Sequence, residues 1–163
     1  MGMWSGLAII LTCVTSAQAK MECGAPVSEQ GMKFLDAYAA GDEPAVMGAL
    51  SGGALHMYGS DVSEVAEDRA GVKRIFDADQ RLWQHSASWG AVSHLSSVGD
   101  GGVCSLFFDR VFKVGGREVP VRFAMVWVKE DGAWRLAQSS NTVPTIGQSA
   151  EALTRQQAPA KAE

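Results

Sequence analysis

VPVRFAMVWV (residues 119–128), KEDG (129–132) and WRLAQSSNT (134–142) follow one another near the end of the chain. The first and third segments are rich in β-branched and aromatic residues, which favour strands. The Asp131-Gly132 pair between them suits a tight turn, because glycine accepts the positive φ that such a turn needs. This stretch therefore predicts an antiparallel hairpin that closes a sheet.

The residues before this hairpin predict more strands and, ahead of them, helices. Residues 87–98 and 103–114 predict two further strands, separated by glycine-rich turns at 99–102 and 115–116. Before them, apolar residues at helical spacing predict helices over three segments, with a short strand and a polar loop between the second and third. Helices first and antiparallel strands second are typical of the α+β class. The predicted helices are 27–40, 45–50 and 70–84, the short strand is 54–58 and the loop is 59–69.

Three details of these helices are also predicted. Ser28 and Asp42 are the expected N-caps of the first two helices, since their side-chain oxygens can accept backbone N–H groups. Gly41 is expected to end the first helix. The third helix is expected to bury one side, made of Val72, Ile75, Phe76, Leu82 and Trp83.

Length and composition limit the class of protein. The chain has 163 residues, 47% of them apolar, which is the size and content of one domain with a real core. The formal net charge is -4, and no basic stripe is present to neutralise phosphates. Binding of nucleic acid is therefore not expected as the primary role of the protein.

The first nineteen residues have the pattern of a secretory leader. Residues 4–14 are mostly apolar, and Ser16-Ala17-Gln18-Ala19 offers small residues for a signal peptidase, with cleavage expected near Ala19. The expected location is periplasmic or secreted, with no integral membrane segment in the mature chain. The alternative is a cytoplasmic protein whose translation begins at Met21 or Met32. The expected division is a leader at 1–19, a tail at 20–26, a domain at 27–144 and a flexible tail at 145–163.

After removal of the leader, Cys23 and Cys104 are the remaining cysteines. A disulfide between them is one interpretation in an oxidising compartment. The preferred interpretation is that Cys104 fills a strand and Cys23 is a thiol of the tail. The histidines lack the spacing of a helical zinc site, so neither a metal nor another cofactor is expected.

Several motifs carry a family resemblance. FLDAYAAGD (34–42), YGSD (58–61), Glu64, Gly71 and the closing DGAWRL (131–136) together resemble the SnoaL-like branch of the nuclear-transport-factor-2-like superfamily. The resemblance covers about residues 27–142. It implies three N-terminal helices packed on a curved, mostly antiparallel sheet, with a cone-shaped hollow between them.

The strand at 118–129 is apolar on both sides, which indicates that neither side is fully exposed to solvent. One side is expected to cover the helices and the other to meet a second copy, as in a homodimer. Periodicity favours the side of Phe123 and Trp127 as the inner one. Alignment with the resembled family favours the side of Arg122 and Ala124, and both alternatives stay open here.

The resemblance also bears on chemistry. Ketosteroid isomerase, a member of that superfamily, uses a carboxylate base and two hydrogen-bond donors. The corresponding positions here are Phe34, Tyr58 and Ala124, none of which matches. Isomerase chemistry of that kind is therefore disfavoured, and whether the protein is an enzyme stays open.

The resemblance to this family also implies candidate site residues. SnoaL-type cyclases close a ring by acid/base catalysis, which requires a titratable group beside the substrate. Asp109 and Tyr58 are the catalytic candidates. A two-residue turn at 115–116 would place Asp109 opposite Arg122, either as a cross-strand ion pair or at the mouth of the hollow. The ligand-binding candidates are Asp61, Trp83, His85, Arg122, Trp127 and Asn141.

Each candidate also has a structural interpretation. Asp61 suits a loop turn, His85 the end of the third helix, and Asn141 the end of a strand. The tryptophans suit the core or a dimer interface.

The sequence is compatible with two functions. The first is binding, or transformation by acid/base chemistry, of a small organic molecule in a hydrophobic pocket. The second is a non-catalytic assembly module of the periplasm with a vestigial cavity. A binder or enzyme should have an open cavity with a titratable group facing it, whereas an assembly module should have its hollow filled by Trp and Phe side chains.

Overall fold

The computed structural model describes residues 23–156. The predicted leader and its cleavage point lie outside these residues. The helices are α1 (Gly24–Ala40), α2 (Glu43–Ala49), α3 (Arg69–Trp83) and α4 (Ala150–Gln156). The strands are β1 (His56–Tyr58), β2 (Val65–Ala66), β3 (Ser88–Asp100), β4 (Val103–Val114), β5 (Arg117–Glu130) and β6 (Ala133–Thr142).

The strands form one six-stranded sheet in the order β2-β1-β6-β5-β4-β3. All neighbours pair antiparallel except β1 and β6, which are parallel. The closing hairpin is confirmed, with Asp131 and Gly132 at positive φ in its turn. The predicted register of the preceding hairpin is also confirmed, because Asp109 pairs with Arg122. The expected α+β arrangement of helices on a mostly antiparallel sheet is thus observed.

Two of the three predicted helix-end residues are confirmed. The Asp42 side chain accepts the N–H of Ala45 at 3.1 Å, which confirms it as the N-cap of α2. Gly41 ends α1 with φ 76°, in the left-handed region. The prediction of Ser28 as the N-cap of α1 is wrong, because the helix already begins at Gly24, after Cys23.

The inner face of β5 carries Val121, Phe123, Met125 and Trp127, all buried in the core. The side chain of Arg122 points to the opposite, outer face, since side chains alternate along a strand. The interpretation from periodicity is therefore confirmed and the interpretation from family alignment is wrong. In a strand, a difference of one residue moves a side chain to the other face.

Cys23 and Cys104 are bonded as a disulfide, with their Cα atoms 5.8 Å apart. The preferred sequence interpretation, two separate thiols, differs from this arrangement. The bond joins Cys23, the residue just before α1, to Cys104, the second residue of β4, which is completely buried. It therefore fixes one end of α1 against the sheet.

No helix among residues 23–156 is long and apolar enough to cross a membrane.

Edge strand β3 is irregular, because its pairing with β4 shifts between Trp89 and Val92 and again between Ser93 and Ser96. Such shifts are β-bulges, which bend a strand and interrupt its regular pairing.

Candidate functional site

A cavity of about 320 Å³ lies between the helices and the inner face of the sheet. Its walls are mainly apolar and aromatic, and its polar groups are few. This is the composition expected of a small-molecule site. The aromatic walls are Phe34, Tyr38, Tyr58, Trp83, Trp89, Phe112 and Phe123, and the polar side chains are Ser60, Glu64, Asp79, Ser139 and Asn141.

Helix α1 supplies one wall and is held in place by side chains of other elements. The Trp89 indole Nε1 donates to the backbone oxygen of Leu35 at 2.8 Å. The Gln80 amide nitrogen donates to the backbone oxygen of Tyr38 at 2.7 Å. These bonds tie α1 to β3 and α3 beside the cavity. The cavity wall is therefore supported from both sides.

Asp79 and Tyr38 form a hydrogen-bonded pair in this wall. The Tyr38 hydroxyl donates to Asp79 Oδ2 at 2.8 Å, and no other residue of 23–156 hydrogen-bonds the Asp79 carboxyl. Burial raises the pKa of Asp79 to about 6; the Tyr38 bond opposes this rise and the charge of Glu64 adds to it. Burial and the neighbouring Asp79 charge raise the pKa of Tyr38 too, so its hydroxyl keeps its proton. The pair thus combines a carboxyl that titrates near neutrality with a fixed donor.

Glu64 is the second carboxylate of the cavity. Its Oε2 accepts the backbone N–H of Asp61 at 3.0 Å, and its backbone oxygen accepts the N–H of Gly59 at 2.8 Å. A Cβ at position 59 would overlap Glu64 Oε2. Glycine at this position therefore lets the Glu64 side chain fold over the loop beside the cavity.

Asn141 contributes an amide to the β6 side of the cavity. Its Oδ1 is buried without a hydrogen-bond partner among residues 23–156. A buried carbonyl oxygen without a partner is costly, so it is a ready acceptor for a ligand donor.

Comparisons with known proteins agree with this architecture. The sequence profile of the SnoaL-like domain matches residues 28–145, most of the chain. The chain belongs to the SnoaL-like family. Curated protein sequences give no match to this SnoaL-like protein.

Solved structures give matches at low identity. An NTF2-like protein of unknown function from Pseudomonas putida KT2440 superposes with a TM-score of 0.64 at 8% identity, covering 72% of this chain and 84% of that one. A candidate dehydratase of the NTF2-like family from Streptomyces avermitilis gives 0.65 at 13%, covering 74% and 94%. The CaMKII hub homology domain of Chlamydomonas reinhardtii gives 0.60 at 17%, covering 74% and 98%. At these identities the matches establish the fold alone.

The SnoaL-like cavity brings together some of the predicted site residues. Tyr58, Trp83 and Asn141 line it. Trp127 does not, because it is completely buried in the core below α1. Asp61 and His85 do not line it either: the Asp61 carboxylate accepts the N–H and hydroxyl of Ser63, and His85 is exposed just after α3.

Asp109 and Arg122 lie on the outer face of the sheet, away from the cavity. Arg122 Nε donates to Asp109 Oδ1 at 2.9 Å, and His94 Nδ1 is 3.1 Å from Asp109 Oδ2. This is the cross-strand ion pair that the register predicts. The alternative placement at the mouth of the hollow is wrong, since Phe108 and Phe123, the adjacent residues in sequence, point inward. Ala124 is on the outer face as well.

Leu82 also differs from the sequence analysis. It was expected on the buried side of α3, yet 77% of it is exposed at the rim of the cavity. Its place in the inward stripe is taken by Asp79, which the sequence analysis did not select. The available signal was the spacing of Asp79, which follows Ile75 by four residues and Phe76 by three and therefore lies on the same side of the helix.

The outer face carries an apolar patch along the β4–β5 pair. Every second cross-strand pair of this part of the ladder is on this face: Val103 with Val128, Ser105 with Val126 and Phe107 with Ala124. Val103 is 50% exposed and Phe107 is 45% exposed. Large apolar side chains in such a row mark a surface that a partner can cover. We call these six residues the outer patch.

Residues 23–156 contain no group of three or more His, Cys, Asp or Glu side chains that could hold a metal ion.

Proposed function

We propose that the cavity binds a small, mostly apolar organic molecule and that Asp79 exchanges a proton with it. The observation that carries the proposal is the Tyr38–Asp79 pair, set in an aromatic cavity of about 320 Å³. Burial raises the pKa of Asp79 to about 6, so its carboxylate dominates near neutral pH but still accepts a proton readily. The Tyr38 hydroxyl orients this carboxylate, and Asn141 offers an acceptor to a polar substituent of the ligand.

The open cavity favours this function over a filled, vestigial hollow. Its aromatic side chains form walls around the space, and two titratable carboxylates, Glu64 and Asp79, face it. The similarity to the candidate dehydratase is compatible with proton transfer as the reaction class.

The test begins with a thermal-shift screen of small organic molecules against the purified protein. Each hit is then incubated with the protein, and conversion is followed by mass spectrometry at several pH values. We expect turnover to increase with pH through about 6, as Asp79 loses its proton, and to be lost in Asp79→Asn. Asp109→Asn is the matched control, because it changes the same group on the outer face. Equal loss in both variants, or hits unaffected by Asp79→Asn, would refute the role of Asp79.

We also propose that the protein is exported before it acts. The leader pattern at residues 1–19 supports this, and so does a structural disulfide, which persists in oxidising compartments. N-terminal sequencing of the native protein tests the proposal. Lys20 as the first residue is the expected result, and an intact Met1 would contradict it.

A second candidate function is self-assembly through the outer patch. The exposed Phe107 and its apolar neighbours on β4 and β5 favour a second copy of the same face, in a two-fold homodimer. Light scattering coupled to size exclusion measures the mass directly. We expect a dimer for the natural protein and a monomer for Phe107→Asp; a monomeric natural protein would contradict the assembly.

A further inference from the structure

We infer that the ligand of this cavity is a hydrophobic amine, bound as its ammonium ion. This inference rests on the proposed binding function and specifies the chemical class of the ligand. It is carried by the charges and ring types of the wall: two carboxylates, several aromatic rings and no positive side chain among the described residues that line the cavity.

The charge pattern is the first argument. Glu64 and Asp79 are both acidic, and Glu64 is close enough to raise the pKa of Asp79. Two carboxylates that share one partly dry space repel each other. A cation placed between them removes this repulsion and forms charge-assisted hydrogen bonds, whereas an anionic ligand would add to it.

The rings supply the second argument. Phe34, Tyr38 and Trp83 are neighbours along the wall, with Tyr38 centred 6.0 Å from Phe34 and 5.8 Å from Trp83. Tyr38 also donates to the Asp79 carboxylate, so the aromatic group and the acid adjoin. The faces of aromatic rings attract cations, and rings grouped around an acid are the arrangement that recognises organic ammonium ions.

The Arg110 guanidinium, which lies near one aromatic wall of the cavity, does not neutralise this site. Arg110 lies over Trp89, with its guanidinium carbon 5.6 Å from the ring centroid, but it is not part of the cavity lining. Its charge is already paired with Asp36 at 2.9 Å. The negative charge of Glu64 and Asp79 therefore faces the cavity without a protein counter-ion in residues 23–156.

The polar group of the ligand is thus expected at the acidic end and its apolar body along the rings of β3–β5. Asn141 is the acceptor for a further donor of the ligand, because its buried Oδ1 has no partner in the described chain. A volume of about 320 Å³ admits a bicyclic aromatic body with a short amine arm.

Isothermal titration with three indoles of nearly equal size tests the charge preference. The probes are tryptamine as the cation, tryptophol as the neutral alcohol and indole acetate as the anion, all near neutral pH. We expect tryptamine to bind at least about tenfold tighter than tryptophol, with indole acetate the weakest. In the double variant Glu64→Gln with Asp79→Asn, the advantage of tryptamine should fall to about twofold or less, while tryptophol binding is retained. Glu67→Gln, which removes one negative charge from an exposed side chain outside the cavity, should keep the full preference.

The outcomes separate the two proposals. Equal binding of tryptamine and tryptophol would overturn the amine inference and leave the binding function standing. Tighter binding of indole acetate would also overturn it. No binding of any of the three by the folded protein would overturn both the amine inference and the proposed site. Retention of the tryptamine preference in the double variant would show that the two carboxylates do not cause it.

Discussion

Replacing Asp79 by Asn is expected to stabilise the folded protein while it abolishes the function of the cavity. The half-buried carboxylate of Asp79 loses hydration on folding, and burial raises its pKa from 3.8 to about 6. A rise of this size corresponds to about 3 kcal/mol of destabilisation when the group is ionised. Because Asp79 is only partly buried, solvent screening reduces this figure to about 1–2 kcal/mol.

The direction in which stability changes with pH follows from the linkage between proton binding and folding. A carboxyl whose folded pKa is raised binds protons more tightly in the folded state than in the unfolded state. The folded natural protein therefore loses stability as the pH rises from about 4 to about 6, and the loss is complete above that range. Asparagine keeps an oxygen that can accept from Tyr38 but carries no charge, so the variant lacks this pH dependence.

Urea unfolding of both proteins at about pH 4 and about pH 8 measures the effect. At the higher pH, the free energy of unfolding of Asp79→Asn is expected to exceed that of the natural protein by about 1–2 kcal/mol. At the lower pH, the difference should be much smaller. Asp77→Asn, on the same helix, is the control; it removes a partner of Lys73 at 2.9 Å and should give no stabilisation. A destabilised Asp79→Asn at the higher pH, or a difference that does not change with pH, would refute the reasoning.

Three other perturbations follow from the same structure. Gly59→Ala should weaken ligand binding at least about threefold in titration, because its new methyl group displaces the Glu64 carboxylate; an unchanged affinity would contradict a role for Glu64. Replacing Cys23 and Cys104 together by alanine should lower the free energy of unfolding by about 3–5 kcal/mol, since their bond closes a loop with a sequence separation of 81; chemical denaturation shows this, and a loss below about 1 kcal/mol would contradict it. Phe107→Asp should leave thermal stability within about 1 kcal/mol while it prevents dimer formation, as circular dichroism and light scattering would report; a folded dimer would count against the outer patch.

The fold was predictable because its signals are local. The Asp131-Gly132 turn fixes the closing hairpin, and alternation along β5 assigns its inner face to Phe123 and its neighbours. The turn at 115–116 likewise sets the register that pairs Asp109 with Arg122. Each of these features depends on residues that are close in sequence.

The candidate site was less predictable because its parts are distant in sequence. Tyr38 and Asp79 are 41 residues apart, and nothing in either helix alone shows that the phenol reaches the carboxylate. The contact requires α1 and α3 to pack side by side, which depends on the core. The disulfide was similarly hidden, since its cysteines are 81 residues apart and their proximity depends on where α1 begins.

The irregular pairing of β3 has a consequence for how the protein behaves at high concentration. A long strand at the edge of a sheet presents unpaired N–H and C=O groups on which a strand of another molecule can build, and this is a route to fibrils. The two bulges between Trp89 and Ser96 interrupt that row, so an incoming strand cannot keep its hydrogen bonds in register along the full edge. This border of the sheet is thereby protected against the addition of a strand from another molecule.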